Sequence, residues 1–247
     1  MKHWIDAFFM AWGMFLAVPC PLKRWDEGSR DRMLVCLPII GALIGGVWAL
    51  LAYVLHVIGA PVLLTAALLC AAPWAMTGFI HLDGFMDVSD AVLSRRDRET
   101  SIRILKDPHC GAFAVISLGL LMLFSFAAFG SWEYSPERLI PLALIPVSTR
   151  ACAGAAVLLL PPLSVSQYSG RHDKKLAVPL FVMLAGAVAA PAAIWGFAGL
   201  APLAAALSYW GTALLDSRRL GGMNGDISGH ALSTAELIGA AVLVFVR

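Results

Sequence analysis

The chain has 247 residues, 60% of them hydrophobic and 14% charged, with a formal net charge of +2 and a mean hydropathy of +0.79. A soluble domain carries about 25% charged residues. This chain cannot cover a globule with polar groups, and it reads as an integral membrane protein. The near-neutral balance excludes a nucleic-acid binder, which would be strongly basic.

Apolar runs cover 5–18, 33–57, 62–80, 111–130, 139–160, 176–195, 197–215 and 235–246. A helix rises about 1.5 Å per residue, so crossing the hydrocarbon takes about twenty apolar residues. In lipid the backbone must satisfy itself, and these runs do not alternate as barrel strands would. The expected fold is therefore all-α, a polytopic integral membrane helix bundle with about six to eight transmembrane helices, forming a single domain over 1–247. The first and last runs are short, half-spanning or interfacial. The first follows Lys2 and resembles a secretory leader. No small-x-small cleavage site follows it, and Pro19-Cys20-Pro21 suits one poorly, so it reads as a retained segment. Within the second run, Gly41 and Gly45 form a small-xxx-small pair that lets helix backbones approach. A phosphate-binding glycine loop would need a preceding strand and a following Lys-Ser/Thr, and neither is present. The cysteines (Cys20, Cys36, Cys70, Cys110, Cys152) have no CxxC or metal spacing and read as small apolar residues.

The basic residues set the orientation. Connections 21–32, 81–110, 161–175 and 216–234 hold 14 of the 18 lysines and arginines. The intervening connections hold only Arg138. Every second connection is basic, which the positive-inside rule assigns to the cytoplasmic side. The four long polar loops are expected to share that cytoplasmic face.

Where the third run ends, the sequence reads "GFIHLDGFMDVSDAVLSRRDRE". Asp83, Asp87 and Asp90 are spaced i, i+4, i+7 and fall within about 60° on one helix face, with Asp97 continuing it. Such carboxylates repel one another unless a cation sits among them. All-oxygen ligation suits Mg²⁺ or Mn²⁺, which leaves its remaining positions to water and substrate phosphate. Arg95, Arg96, Arg98, Arg103 and Lys106 follow at once. Metal carboxylates beside anion-binding cations make the inventory of a diphosphate site. The plainer reading is a solvated acidic face at a membrane exit, with arginines that serve topology alone. Gly84 would let a ligand approach the backbone, or would ease a bend. His81 points away from the carboxylate face on a continuous helix; on a bend it could act as a general base or contact substrate.

Two further features stand apart. In "LGGMNGDISGHALSTAEL", glycines at 221, 222, 225 and 229 read as a flexible loop carrying Asn224 and Asp226, with Glu236 beyond. It shares the basic face with the aspartate helix, so the two could close over one ligand; a plain connection is the alternative. Arg150 lies inside an apolar run, where a charge is costly and faces a cavity or a partner. Its partner would be an inward-facing phosphate or carboxylate, or an acid of another helix.

These motifs resemble the cobalamin synthases, the adenosylcobinamide-GDP ribazoletransferases, over nearly the whole chain. "HLDGFMDVSD" is similar to the family's HLDG-x-x-D-x-x-D signature. "RRDRE…ILKDPHCGAF" resembles its next element, giving Arg98, Glu99, Lys106, Asp107 and Gly111. "LPIIGALIGG", "VSTR" at Arg150 and "GGMNGDISG" match three more in order. The resemblance implies a transferase of late cobamide synthesis. It would join adenosylcobinamide-GDP to α-ribazole or its 5′-phosphate and release GMP, with Mg²⁺ as cofactor. The ribazole 3′-hydroxyl would attack the phosphorus attached to cobinamide. Asp83, Asp87 and Asp90 would hold the metal and, with His81, form the catalytic set. Arg96, Arg98, Lys106, Asp107, Arg150, Asn224, Asp226 and Glu236 would contact substrate. The partners implied are those two substrates and the lipid bilayer; a homo-oligomer stays open. The sequence departs from the family pattern at Ala91, Arg103, Pro108, His109 and Ser233, and along "PPLSVSQYSGRHDKK". These changes leave the metal carboxylates in place and bear on the choice of lower-ligand base.

Two other classes fit the chain less well. A CDP-alcohol phosphotransferase would need an Asp three residues before Asp83 and an Ala-Arg pair after the aspartates, and lacks both. A transporter would place its ionisable groups near the midplane, whereas most here lie in connections on one side.

Overall fold

The computed structural model describes residues 2–163 and 172–245. Arg171 of the third basic connection and Val246 at the end of the last apolar run lie outside them. Among the described residues there are eleven α-helices and no β-strand. They are α1 (Lys2–Phe15), α2 (Arg30–Val35), α3 (Leu37–Val57), α4 (Val62–Met76), α5 (Ile80–Leu93), α6 (Arg98–Leu105), α7 (Ala112–Gly130), α8 (Pro136–Leu159), α9 (Ala177–Trp195), α10 (Ala201–Leu220) and α11 (Gly225–Val244). Six spans among the described residues are long and apolar enough to cross a membrane: Leu37–Val57, Ala112–Gly130, Pro136–Leu159, Lys174–Trp195, Ala198–Leu220 and Gly225–Val244. A seventh arises if α4 and α5 are counted as one broken span. The chain is thus an all-α, multi-pass membrane protein.

Helix α1 has 14 residues, about 21 Å, too short to cross the hydrocarbon. It is held by polar anchors: Asp6, 7% exposed, accepts from Arg24 Nη1 at 2.9 Å, and the amide of Ala17 donates to Met76 at 2.8 Å. The run 33–57 is two helices, broken at Cys36 just before Pro38. Pro38 fits the first turn of α3, where its missing N–H leaves no bond unmade.

At the centre, α3 packs along α8. A Cβ on Gly41 or Gly45 would run into the backbone carbonyls of Pro146 and Ala143. The pair therefore serves helix packing, as its spacing suggests. Trp48, buried on the same helix, donates its indole N–H to the Leu69 carbonyl at 2.8 Å and ties α3 to α4.

The run 62–80 does not leave the membrane as one straight helix. Gly78 and Phe79 both adopt left-handed backbone (φ 60° and 62°), and α5 leaves α4 at 92°. The amide of Phe79 turns back to the Trp74 carbonyl at 2.9 Å, closing the end of α4. The bend aims the aspartate helix across the bundle toward α11.

The four basic connections meet at one end of the bundle. Asp31 of the first lies 2.7 Å from His172 of the third and accepts from the amide of Asp173 at 2.8 Å. Leu163 and Met223 join the third to the fourth through backbone bonds of 2.8 and 2.7 Å, the latter to Pro161. Arg98 of the second bonds the carbonyls of Leu220 and Gly221, at 3.0 and 3.1 Å.

Candidate functional site

The expected glycine loop before Glu236 is largely helix. Helix α10 runs on to Leu220 and α11 starts at Gly225, so the connection is only 221–224. Asn224 caps α11, accepting from the amide of Ile227 at 2.9 Å and donating to Asp226 at 2.7 Å. Gly225 and Gly229 lie inside the helix. The last span is therefore about ten residues longer toward the polar face than its hydropathy suggests. Glycine, serine and aspartate lower the apolar average while the segment stays helical and packed.

Gly84 and Gly229 explain how the aspartate helix meets α11. A Cβ on Gly84 would lie 2.8 Å from Asp226 Cα, and one on Gly229 would lie 3.0 Å from the His81 carbonyl. The two glycines oppose each other at a close helix crossing. Gly84 thus makes room for α11 rather than for a ligand. The crossing brings Asp226 against the helix carrying Asp83 and joins the two constellations that the sequence keeps 143 positions apart.

Two cavities flank α5. An outer cleft of about 220 Å³ is lined by Asp83, Asp87, Asp90, Asp107, His109 and Gly111, among others. An inner cavity of about 120 Å³ is lined by His81, Asp83, Arg150, Asp226 and Ser228 with apolar side chains of α1, α2, α3 and α8. Asp83 lines both.

In the outer cleft, the expected carboxylate face is present: all three aspartates share it. Asp83 is exposed, while Asp87 and Asp90 are half-buried. The Asp90 carboxylate lies against Gly111, the N-cap of α7, where the helix dipole favours negative charge. Among the described residues no lysine, arginine or histidine forms an ion pair with Asp83, Asp87 or Asp90. Nor do three His, Cys, Asp or Glu side chains converge closely enough to hold a metal by themselves. Asp107, at the rim, accepts from the amide and the ring Nδ1 of His109, at 3.0 and 2.7 Å. Those bonds hold its carboxyl below the usual carboxylate range.

The basic residues lie elsewhere. Arg96, Arg98 and Lys106 do not line the cleft. Arg98 bonds the last carbonyls of α10, where a cation complements the helix terminus. Its guanidinium lies against Gly221, whose left-handed backbone (φ 92°) any Cβ would strain. Asp97 does not continue the carboxylate face, because α5 ends at Leu93 and Arg95 turns left-handed. It caps α6, accepting from the amide and hydroxyl of Thr100 at 3.0 and 2.8 Å, and these bonds depress its pKa.

In the inner cavity, His81 sits two residues past Phe79 of the bend and stacks on Phe15 of α1, with ring centroids 6.2 Å apart. Arg150 is 2% exposed and Glu236 6% exposed. Arg150 Nη1 donates to Glu236, so an acid of another helix is the arginine's partner. Nη1 also bonds Thr149 Oγ1 at 3.3 Å and the Pro146 carbonyl at 3.5 Å, while the buried Nη2 has no protein partner.

Sequence reading missed the support behind this site. His230 lies 2.7 Å from Asp216 and stacks on Phe85, with centroids 5.0 Å apart. The buried Tyr209 and Ser228 hydroxyls share a bond of 2.9 Å. The i, i+4 spacing of Asp226 and His230 was the available signal, hidden by taking the segment as a loop. Nothing in the sequence marked Met14 and Phe15 of α1 as cavity walls.

Comparison with known proteins bears on the whole chain. The sequence model for cobalamin-5-phosphate synthase matches residues 7–244. The chain is 36% identical to the adenosylcobinamide-GDP ribazoletransferase of Clostridium perfringens (strain 13 / Type A), covering 98% of this chain and 99% of that one. It is 35% identical to the one of the same name from Clostridium botulinum (strain Alaska E43 / Type E3), covering 97% of each. It is 36% identical to that of Pseudomonas fluorescens (strain SBW25), over 96% of this chain and 97% of the relative. No solved structure matches the chain.

Proposed function

The chain belongs to the cobalamin-5-phosphate synthase family, and from that membership we propose that it performs the transfer its relatives are named for. It joins adenosylcobinamide-GDP to α-ribazole or its 5′-phosphate, giving adenosylcobalamin or its phosphate and GMP. The observation that carries this reading is the position of Asp83, common to an acidic cleft and to an inner cavity. Two substrates, one in each compartment, would meet there.

In this reading the diphosphate lies in the outer cleft. Asp83, Asp87, Asp90 and Asp107 would repel it unless a cation intervenes, and among the described residues no lysine or arginine lines the cleft. An all-oxygen donor set without a basic partner suits Mg²⁺, which takes one or two carboxylates and completes its shell with phosphate oxygens and water. The lack of a three-ligand protein cage is in keeping with that habit. Bound Mg²⁺ would offset the charge on the diphosphate and leaving GMP. Asp83 and Asp87 are the proposed main ligands, with Asp90 held in place by the N-terminus of α7.

The ribazole 3′-hydroxyl oxygen forms the new P–O bond to the cobinamide-linked phosphorus as the P–O bond to GMP breaks. Its proton must leave, and His81, lining the inner cavity with Asp83, is the proposed acceptor. Asn224 orients Asp226 at the mouth of that cavity. Arg96 and Lys106 remain candidate contacts for the outer parts of the large substrate; Arg98 positions α10. The excess of basic residues at this end of the bundle supports a cytoplasmic placement for it, in a bacterial inner membrane.

The test is GMP release by detergent-purified protein from adenosylcobinamide-GDP and α-ribazole, with and without Mg²⁺. Release that requires both substrates and Mg²⁺ is the expected result. Release unaffected by chelation would remove the metal from the reading, and no release at all would remove the reaction.

A further inference from the structure

Arg150 combines three properties seldom found together. It is 2% exposed, its charge is balanced by Glu236, and its Nη2 is buried without a protein partner. A buried donor left unpaired costs about 1–3 kcal/mol. Such a group is expected to have a partner in the working state. Arg150 lines the inner cavity, so the nearest space from which a partner for its spare donor can come is that cavity.

The rest of the wall says what that occupant is. Phe15, Leu34, Leu37 and Ile40 are apolar, and His81 presents a planar ring already stacked by Phe15. Asp83 and Asp226 add two carboxylates toward the polar face. With Arg150 neutralised by Glu236, the cavity has an excess of negative charge. A phosphate or carboxylate is therefore disfavoured there, despite the arginine. A neutral, flat, mostly apolar group bearing one hydrogen-bond acceptor suits the apolar walls and the arginine, with its polar end left toward the two carboxylates.

We infer that the inner cavity is the pocket for the heteroaromatic base of the nucleophile, a benzimidazole-type ring whose unprotonated ring nitrogen accepts from Arg150. The inference rests on the proposed reaction, because that reaction supplies a substrate of this chemistry. It adds the location of the base and the group that reads its free nitrogen. A base seated there leaves its ribose toward Asp83, the residue that lines both the cleft and the cavity.

The test uses the full chain purified in detergent and two small probes of equal shape, benzimidazole and indole. Indole lacks the acceptor nitrogen. By equilibrium dialysis, benzimidazole is expected to bind at least about tenfold tighter than indole, the range of one lost hydrogen bond. Inorganic phosphate is expected not to compete. Ala153→Leu, which fills the cavity wall, is expected to weaken benzimidazole binding about tenfold or more. Arg150→Leu combined with Glu236→Leu is expected to erase the preference between the probes, with unfolding temperature and gel-filtration elution in detergent checking the fold of both variants. Equal binding of indole and benzimidazole by the unmodified protein would overturn the inference, as would competition by phosphate or full binding by a folded Ala153→Leu. GMP release without probe selectivity sinks the pocket and keeps the reaction. Selectivity without GMP release keeps the pocket as a base-binding site and sinks the reaction.

Discussion

At the scale of residues, Asp87 and Arg98 show how differently two charged groups of one segment are used. Asp87 faces the cleft without a basic partner, whereas Arg98 bonds backbone carbonyls 122 and 123 positions away. Asp87→Asn keeps size and polarity while removing the charge. It is expected to lower GMP release by about a hundredfold or more, the scale of losing one group that stabilises developing charge. Unchanged gel-filtration elution would show the fold intact, and unmodified turnover would exclude the carboxylate from the chemistry. Arg98→Ala is expected to act on stability first, by about 1 kcal/mol in detergent unfolding, because an exposed cation at a helix terminus contributes on that scale. Lysine would restore the charge but not both bonds, since only the planar fork reaches two carbonyls at once. The carboxylate face was legible from spacing, because helical geometry alone sets it. The capping role of Arg98 was not, because its acceptors are set by tertiary packing.

At the scale of elements, the functional arrangement depends on two backbone features. One is the Gly84–Gly229 crossing, and the other is the bend at Gly78 and Phe79. Gly229→Leu would push α5 off α11 and part Asp83 from Asp226. Overpacking of this kind costs about 1–3 kcal/mol. Activity is expected to fall with KM for the ribazole rising, while Gly46→Leu, at a glycine with open space around it, stays near normal. Equal effects of the two substitutions would refute the crossing. Gly78→Ala is expected to destabilise by about 1–2 kcal/mol through its left-handed backbone, read as a lower unfolding temperature in detergent. Most helices lie close to the apolar runs that announced them, since hydropathy reports lipid contact directly. The bend and the early start of α11 were not legible. Both occur where polar residues and glycine serve packing inside the protein, and hydropathy is blind to that.

At the scale of the whole molecule, the basic connections form one polar face, and the alternation of charge along the chain had indicated as much. Cys110 lies exposed on that face, whereas Cys36, Cys70 and Cys152 are buried. A membrane-impermeant maleimide, followed by mapping of the labelled peptide, is expected to modify Cys110 in inverted vesicles and not in intact cells. The reverse pattern would turn the bundle over and, with it, the assignment of the active face to the cytoplasm. Charge patterning announced which connections share one face, since basic residues gather in alternate connections. Charge did not reveal that α1, too short to cross, supplies a wall of the inner cavity.

The sharing of Asp83 by the cleft and the cavity has a kinetic consequence. Two compartments lined by one common carboxylate favour direct transfer between co-bound reactants over a detached enzyme-bound intermediate. Initial-rate plots varied in both substrates should then give intersecting lines, the signature of a sequential mechanism. A ping-pong pattern of parallel lines would mean that cobinamide phosphate is parked on the protein first. Labelled GMP should likewise fail to exchange back into adenosylcobinamide-GDP until the ribazole is present, because half of the reaction has nowhere to pause.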